Sequence, residues 1–292
     1  MRHHLLSPIH TVYEYVALYF GLIFLGLLCL VWTPAAIVLS ALLPEAWART
    51  VGRWAITIGF RIYVSTLALT RAYRVDLSAL DALRGEPPMI IAPNHPGLID
   101  AVLVISRLPV TCIMKAELMR NLFLGAGARL AGYIRNDTSH GMIHRSIASL
   151  RRGTHLLVFP EGTRTTRSPV NTFNGSIGII ARHANVPVQT VFIDTDSPYL
   201  SKGWPLFRKP ALPITYRIRL GKRFDSPAKT REFVGQLEQY FAEQLSRDSM
   251  LQSWLPAASV PGVAPHMKHY PRCRQDDDGH PVTHPSHPHS QL

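Results

Sequence analysis

The chain has 292 residues, 47% hydrophobic and 17% charged, long enough to bury a sizeable core in one or two domains. Its three cysteines, Cys29, Cys112 and Cys273, are too scattered for a disulfide framework, which makes a reducing compartment the default. The net charge of +12 comes without zinc spacing, a basic helix or an aromatic-basic sheet motif, so it argues against a nucleic-acid module and for an anionic membrane surface or phosphorylated and CoA-bearing substrates.

In chain order, the first feature is a run from Tyr15 to Leu43 without a charged residue, where ~20 apolar residues suffice to cross a bilayer. Pro34 divides it, which predicts either one kinked span or two shorter helices folded back into one leaflet, since proline breaks the helix ladder. The run is about twice the length of a signal core, and Glu14 sits in its lead, so a retained anchor is expected rather than a cleaved leader. A second apolar stretch, 54–70, contains Arg61 and reads as an interfacial or packing helix. Residues 1–70 are therefore read as a membrane-anchoring helical region.

From 71 to 250 short apolar runs alternate with helical patterns. Strands are predicted at 73–77, 89–92, 110–114, 155–159, 188–193 and 214–220, and helices at 99–106, 116–131, 140–151 and 176–184. In a last helix Phe233, Leu237, Phe241 and Leu245 form one apolar stripe. The expected fold class is α/β, a mostly parallel central sheet flanked by helices and preceded by an N-terminal membrane-associated helical segment. From Pro256 to Leu292 the composition turns to Pro, His, Ser and charged residues, too little apolar surface to offset ordering entropy, so a disordered tail is expected. Its His280, His284, His287 and His289 suit loose metal binding, but a metal-free tail is the expectation.

Two blocks carry the chemistry, and both follow predicted strands, where sites gather in sheets of this type. The first is Asn94-His95-Pro96-Gly97-Leu98-Ile99-Asp100 and the second Phe159-Pro160-Glu161-Gly162-Thr163-Arg164. A His followed five positions later by Asp arises by accident in roughly one chain in three of this length, whereas the six-residue string is on the order of one in a hundred thousand. The second block therefore carries the inference. Imidazole titrates near working pH, which suits His95 as a general base. Asp100, five positions on, is placed to orient the ring and stabilise the imidazolium. Gly97 lets backbone approach a ligand and offers amides to a developing oxyanion. Arg164 is a natural fork for two phosphate oxygens, and its alternative is an ion pair with Glu161 that shapes the turn. No metal, P-loop or dinucleotide fingerprint is called for.

In order and spacing these blocks resemble the 1-acylglycerol-3-phosphate acyltransferase family over residues 70–250. Lys115-Ala116-Glu117-Leu118, Gly132-Tyr133-Ile134-Arg135-Asn136 and Val186-Pro187-Val188 support the resemblance. It implies transfer of a fatty acyl group from acyl-CoA or acyl-carrier protein, as co-substrate and without a cofactor, to a lysolipid hydroxyl. It also implies that Glu161, Gly162, Thr163 and Arg164 hold the acceptor, with Asn94, Gly97 and Arg135 beside them. Three departures bear on which acceptor: no acid directly precedes Arg135, Gln189-Thr190 stand where a proline is usual, and Asn174 stands where lysine is common. The simplest acceptor is 1-acylglycerol-3-phosphate. A lyso-ornithine lipid, another lysophospholipid, or a silent basic membrane adaptor of the same fold remain alternatives. Because acyl thioesters are cytosolic, the catalytic face is expected on the cytoplasmic side. Finally, 202–209 interleaves aromatic and basic residues, a composition suited to lipid headgroups.

Overall fold

The computed structural model describes residues 2–121 and 123–254. The expected tail, with its histidines, lies outside the described residues. Two helices open the chain, α1 (Arg2–Leu42) and α2 (Glu45–Leu69). Of the two alternatives at Pro34, the helix is a single one that runs through Pro34 and stops only before Pro44. Residues Glu14, Ala17, Leu18, Thr33 and Ala36 of α1 are buried against the protein, at helical spacing. Val16, Tyr19, Phe20, Ile23, Leu27 and Val31 are exposed. An apolar face of this extent suits lipid better than water, and Pro8–Leu42 is long and apolar enough to cross a membrane.

The α2 helix packs on the body through small residues. A Cβ on Gly52 would lie 2.6 Å from the amide nitrogen of Ala131 and 2.8 Å from its Cα, and backbone cannot swing aside as a side chain can. Gly52→Ala is expected to destabilise by about 1–3 kcal/mol through overpacking. Gly59→Ala in the same helix meets nothing within 4 Å and should be neutral or gain up to ~1 kcal/mol of helix propensity. Denaturant unfolding of the two variants in detergent checks the contrast.

The body is one seven-stranded sheet ordered β1-β7-β6-β2-β5-β3-β4. Its strands are β1 (Tyr73–Asp76), β2 (Ile90–Pro93), β3 (Thr111–Lys115), β4 (Ile134–Asn136), β5 (Leu156–Leu157), β6 (Val188–Thr195) and β7 (Ile214–Phe224). All pairings are parallel except β6 with β7. The mostly parallel α/β sheet expected from alternation is thus observed. Central β2 is buried along its whole length and β6 over its first six residues, as strands covered on both faces must be. Helices α3 (Asp100–Ile105), α4 (Ala116–Arg120), α5 (Gly125–Leu130), α6 (Ser139–Arg151), α7 (Ser176–Ala184) and α8 (Thr230–Trp254) complete the body. The stripe residues Phe233, Leu237 and Phe241 of α8 are buried with Ile177, Ile180 and Phe192 in one cluster.

Two local expectations need correction, and one of the departures has a structural role. The helix predicted over 116–131 is two short ones: Asn121, extended at ψ 136, ends α4, and its Oδ1 accepts from the amides of Phe123 and Leu124 at 2.8 and 3.2 Å in the turn before α5. The β4 strand was not expected. Its three residues are too few to show a period, and it exists by pairing with Ile113, Met114 and Lys115 of β3. The pair Gln189-Thr190 is spent on β7 rather than aimed at a ligand. Gln189 Nε2 donates to the Gly221 carbonyl at 2.8 Å and Thr190 Oγ1 to the Lys222 carbonyl at 2.8 Å, where the β6–β7 register shifts.

Candidate active site

Strand β2 delivers the first block to the C-terminal edge of the sheet. Just beyond it, Asn94 donates from Nδ2 to the Ile193 carbonyl at 3.1 Å and accepts the Ile193 amide on Oδ1 at 2.7 Å. Its buried amide is therefore a staple between β2 and β6, which differs from the acceptor contact the resemblance implies. The chain then turns through His95, Pro96 and Gly97 into α3, whose first residue is Asp100.

His95 Nδ1 and Asp100 Oδ2 are 2.8 Å apart. The Asp100 side chain is fully buried, and that of His95 is 16% exposed. A carboxylate on Nδ1 fixes the tautomer that leaves the lone pair on Nε2, the nitrogen free to take a proton. The same Oδ2 accepts the Gly97 amide at 2.8 Å. That amide thus braces the carboxylate and is not free for an oxyanion, against the expectation for Gly97. Burial pushes the Asp100 carboxyl above its ordinary pKa, opposed by its bonds from His95 and Gly97. Desolvation makes the lone anion costly, so a proton gained at Nε2 forms an imidazolium that the buried carboxylate stabilises.

The second block holds the first from behind. The Phe159 ring stacks on His95 with centroids 3.9 Å apart and planes inclined by 22°. Glu161 Oε1 accepts the His95 backbone amide at 3.1 Å and the Thr165 hydroxyl at 2.7 Å, and Oε2 accepts the Asn171 amide at 2.9 Å. The Thr165 amide in turn donates to the His95 carbonyl at 2.8 Å. Both backbone polar groups of His95 are therefore clamped by the loop after β5. Gly162 adopts φ +66, with nothing within 4 Å of a Cβ position. Glycine is required there by the turn, not by crowding. Thr163 lies half-buried in the same turn.

Arg164 is not paired with Glu161, so the ion-pair alternative does not hold. Its Nη1 donates to the carbonyls of Leu200 and Ser201, each at 2.9 Å. Those donors leave the rest of the guanidinium edge for an anion. Arg135 stands apart. It is the middle residue of β4, which β5 and β3 separate from β2, about 14 Å across three strand spacings. Its Nε donates to Asp137 Oδ2 at 2.8 Å, and Arg145 bonds the other oxygen at 2.6 Å. The hydrogen bond from Arg135 holds the Asp137 carboxyl well below the usual carboxylate range. The acid absent before Arg135 is thus replaced by one two residues after it.

Leu200, Ser201, Thr165 and Asn171 were missed in sequence. Thr165 adjoins the block and was within reach of inspection, but the Leu200 and Ser201 contributions are carbonyls, which every residue has. No group of three or more metal-ligating side chains occurs among the described residues.

Residues 74–194 match the family model described as Acyltransferase. Over 110 residues the chain is 36% identical to a lyso-ornithine lipid O-acyltransferase of Pseudomonas aeruginosa, an alignment covering 36% of this chain and 43% of that protein. The chain thus spans less than half the length of this curated relative. The fold is similar to the crystal structure of the 1-acyl-sn-glycerophosphate acyltransferase PlsC from Thermotoga maritima. That match has a TM-score of 0.59 at 18% identity, over 85% of this chain and 98% of that one.

Proposed function

Because residues 74–194 match the Acyltransferase family model, we propose that the chain moves a fatty acyl group from an acyl thioester to the hydroxyl of a lysolipid, with 1-acylglycerol-3-phosphate as the leading acceptor. The observation that carries the reading is the His95–Asp100 pair, 2.8 Å apart at a strand end and clamped by Glu161 and Thr165. His95 Nε2 takes the acceptor proton as its oxygen attacks the thioester carbonyl. The new ester C–O bond forms, the C–S bond breaks, and the proton returns to the thiolate. No enzyme nucleophile is needed, because a thiolate already leaves well. Asp100 holds the ring and stabilises the imidazolium. Glu161, Gly162 and Thr163 build the loop that carries Arg164, whose open guanidinium edge forks the acceptor's anion. Arg135 is a more distant anion contact on the same rim. The exposed apolar face of α1 keeps the enzyme at the membrane, and the cytosolic supply of acyl-CoA or acyl-carrier protein favours the cytoplasmic side.

A second acceptor has its own support. The 36% identity to a lyso-ornithine lipid O-acyltransferase favours an ornithine headgroup, whose carboxylate a guanidinium forks as readily as a phosphate. The deciding experiment is acyl transfer by the purified protein in detergent, with labelled acyl-CoA or acyl-carrier protein and a panel of lysophosphatidate, lyso-ornithine lipid and a zwitterionic lysophospholipid. Transfer to lysophosphatidate supports the leading reading, and transfer to lyso-ornithine lipid alone supports the second. Vesicle binding with no transfer to any of them sinks both in favour of an adaptor. For the acceptor used, Arg164→Gln is expected to raise KM about ten- to hundredfold, from the loss of a charge-assisted contact of roughly 1.5–3 kcal/mol. An unchanged KM would remove Arg164 from acceptor binding.

A further inference from the structure

We propose that the connection between β6 and β7, residues 196–213, seats its tip in the surface of a phospholipid bilayer, and that this seat holds Arg164 and the His95 turn in position for the acceptor. The inference rests on the acyltransferase reading for its last clause alone.

The tip is built as a membrane contact. Leu206 and Phe207 are 46% and 65% exposed, and exposed Lys202 and Arg208 flank them. Apolar side chains between basic ones suit the boundary of acyl chains and anionic headgroups. Trp204 braces the tip from inside: its Nε1 donates to the Arg208 carbonyl at 3.1 Å, the Arg208 guanidinium lies 4.8 Å over its ring, and its edge meets Tyr199 at 6.0 Å.

The tip is also continuous with the lipid-facing side of α1. Phe207 stacks with Tyr19 at 6.5 Å, and Lys209 lies over the Tyr15 ring at 5.7 Å. Beneath them Glu14, buried on α1, pairs with Lys209 and accepts the Leu212 amide at 3.2 Å. A buried carboxylate is retained only with such partners, so Glu14 ties the loop to the membrane helix.

The base of the same loop reaches the site. Leu200 has φ 60, a left-handed conformation that is strained for leucine and persists only when its surroundings enforce it. In that conformation its carbonyl accepts the Leu98 amide at 3.0 Å and Arg164 Nη1 at 2.9 Å, beside the Ser201 carbonyl. One loop thus joins a lipid-facing tip, a membrane helix and the guanidinium of the candidate acceptor site. Glu14 is a positioning residue in this arrangement, and Leu206 and Phe207 are the contacts with lipid.

The test uses the full chain in nanodiscs of phosphatidylcholine and phosphatidylglycerol, with lysophosphatidate as acceptor probe. Replacing the tip by Leu206→Ser with Phe207→Ser is expected to raise KM about tenfold while kcat stays within twofold. With a short-chain, water-soluble lysolipid in neutral detergent, both constants should match the parent. Glu14→Gln should reproduce the KM rise in nanodiscs with the tip intact. An unchanged KM in nanodiscs, or an equal rise in both media, would overturn the proposal. Hydrogen exchange of the wild-type 199–209 amides provides a readout without turnover, expected slower in nanodiscs than in detergent. Equal exchange alongside full acyl transfer sinks the loop seat alone. Slowed exchange with no transfer to any lysolipid sinks the acyltransferase reading and leaves the seat standing.

Discussion

Replacing His95 with alanine is expected to lower kcat for acyl transfer by about 10²–10⁴-fold, the usual contribution of a positioned general base. Nε2 is the atom the arrangement leaves open, since Nδ1 is taken by Asp100 at 2.8 Å. Without the imidazole, the acceptor proton has only water to receive it. The fold should survive. The clamp on this residue, from Glu161 Oε1 to its amide and from the Thr165 amide to its carbonyl, is made to backbone and persists in alanine. The loss should therefore appear in kcat with little change in the KM for either substrate, the pattern of an interaction made in the transition state. Steady-state kinetics beside a thermal melt check both halves. Retention of more than about a tenth of parental kcat, with the protein folded, would exclude His95 as the base.

Asp100→Asn is expected to separate activity from stability. Asparagine preserves shape, but a neutral amide neither orients the imidazole in the required tautomer nor stabilises the imidazolium, and the comparable change in a serine-protease triad costs about 10⁴ in kcat. The stability effect runs the other way. Burial raises the Asp100 pKa above its unfolded value, so the fold binds this proton more tightly than the unfolded chain does. The corresponding stability is fully present below the unfolded carboxylate pKa and is lost as pH rises through the raised folded value. Above that raised value the parent carries an ionised carboxylate at a cost in stability that asparagine does not have. Melts over a pH series rising from acid should show the parent losing stability relative to the variant as pH rises. A parent that gained on the variant over that range would mean that Asp100 is stabilised as an anion by its partners. Such a trade of stability for function is common where a site needs a desolvated charge.

The two effects arise from one construction. Glu161 is among the buried charged residues, yet it reaches the candidate base through the backbone and leaves the ring to Phe159 and Asp100. The loop after β5 thus sets where His95 stands, while Asp100 sets which ring nitrogen is left open.

Much of this was legible in the chain itself, wherever identity or local spacing carries the physics. Alternating apolar runs predict a mostly parallel sheet because burial repeats along the chain. The charge-free run at 15–43 predicts a membrane helix because length and hydropathy are properties of the segment alone. His95 and Asp100 were readable as a pair because five residues across a turn suffice to bring them together, and Glu161 and Arg164 were readable as important from their rare string. What those two side chains touch was decided elsewhere. Glu161 supports His95 across the sheet edge, Arg164 leans on carbonyls of Leu200 and Ser201, and Asn94 staples Ile193. The short β4 strand, the break of the predicted 116–131 helix at Asn121 and the Glu14 tie to the β6–β7 loop belong to the same class. Each depends on partners far along the chain or on backbone groups that all residues share, so no local pattern of side chains encodes them and only the packed sheet brings them into contact.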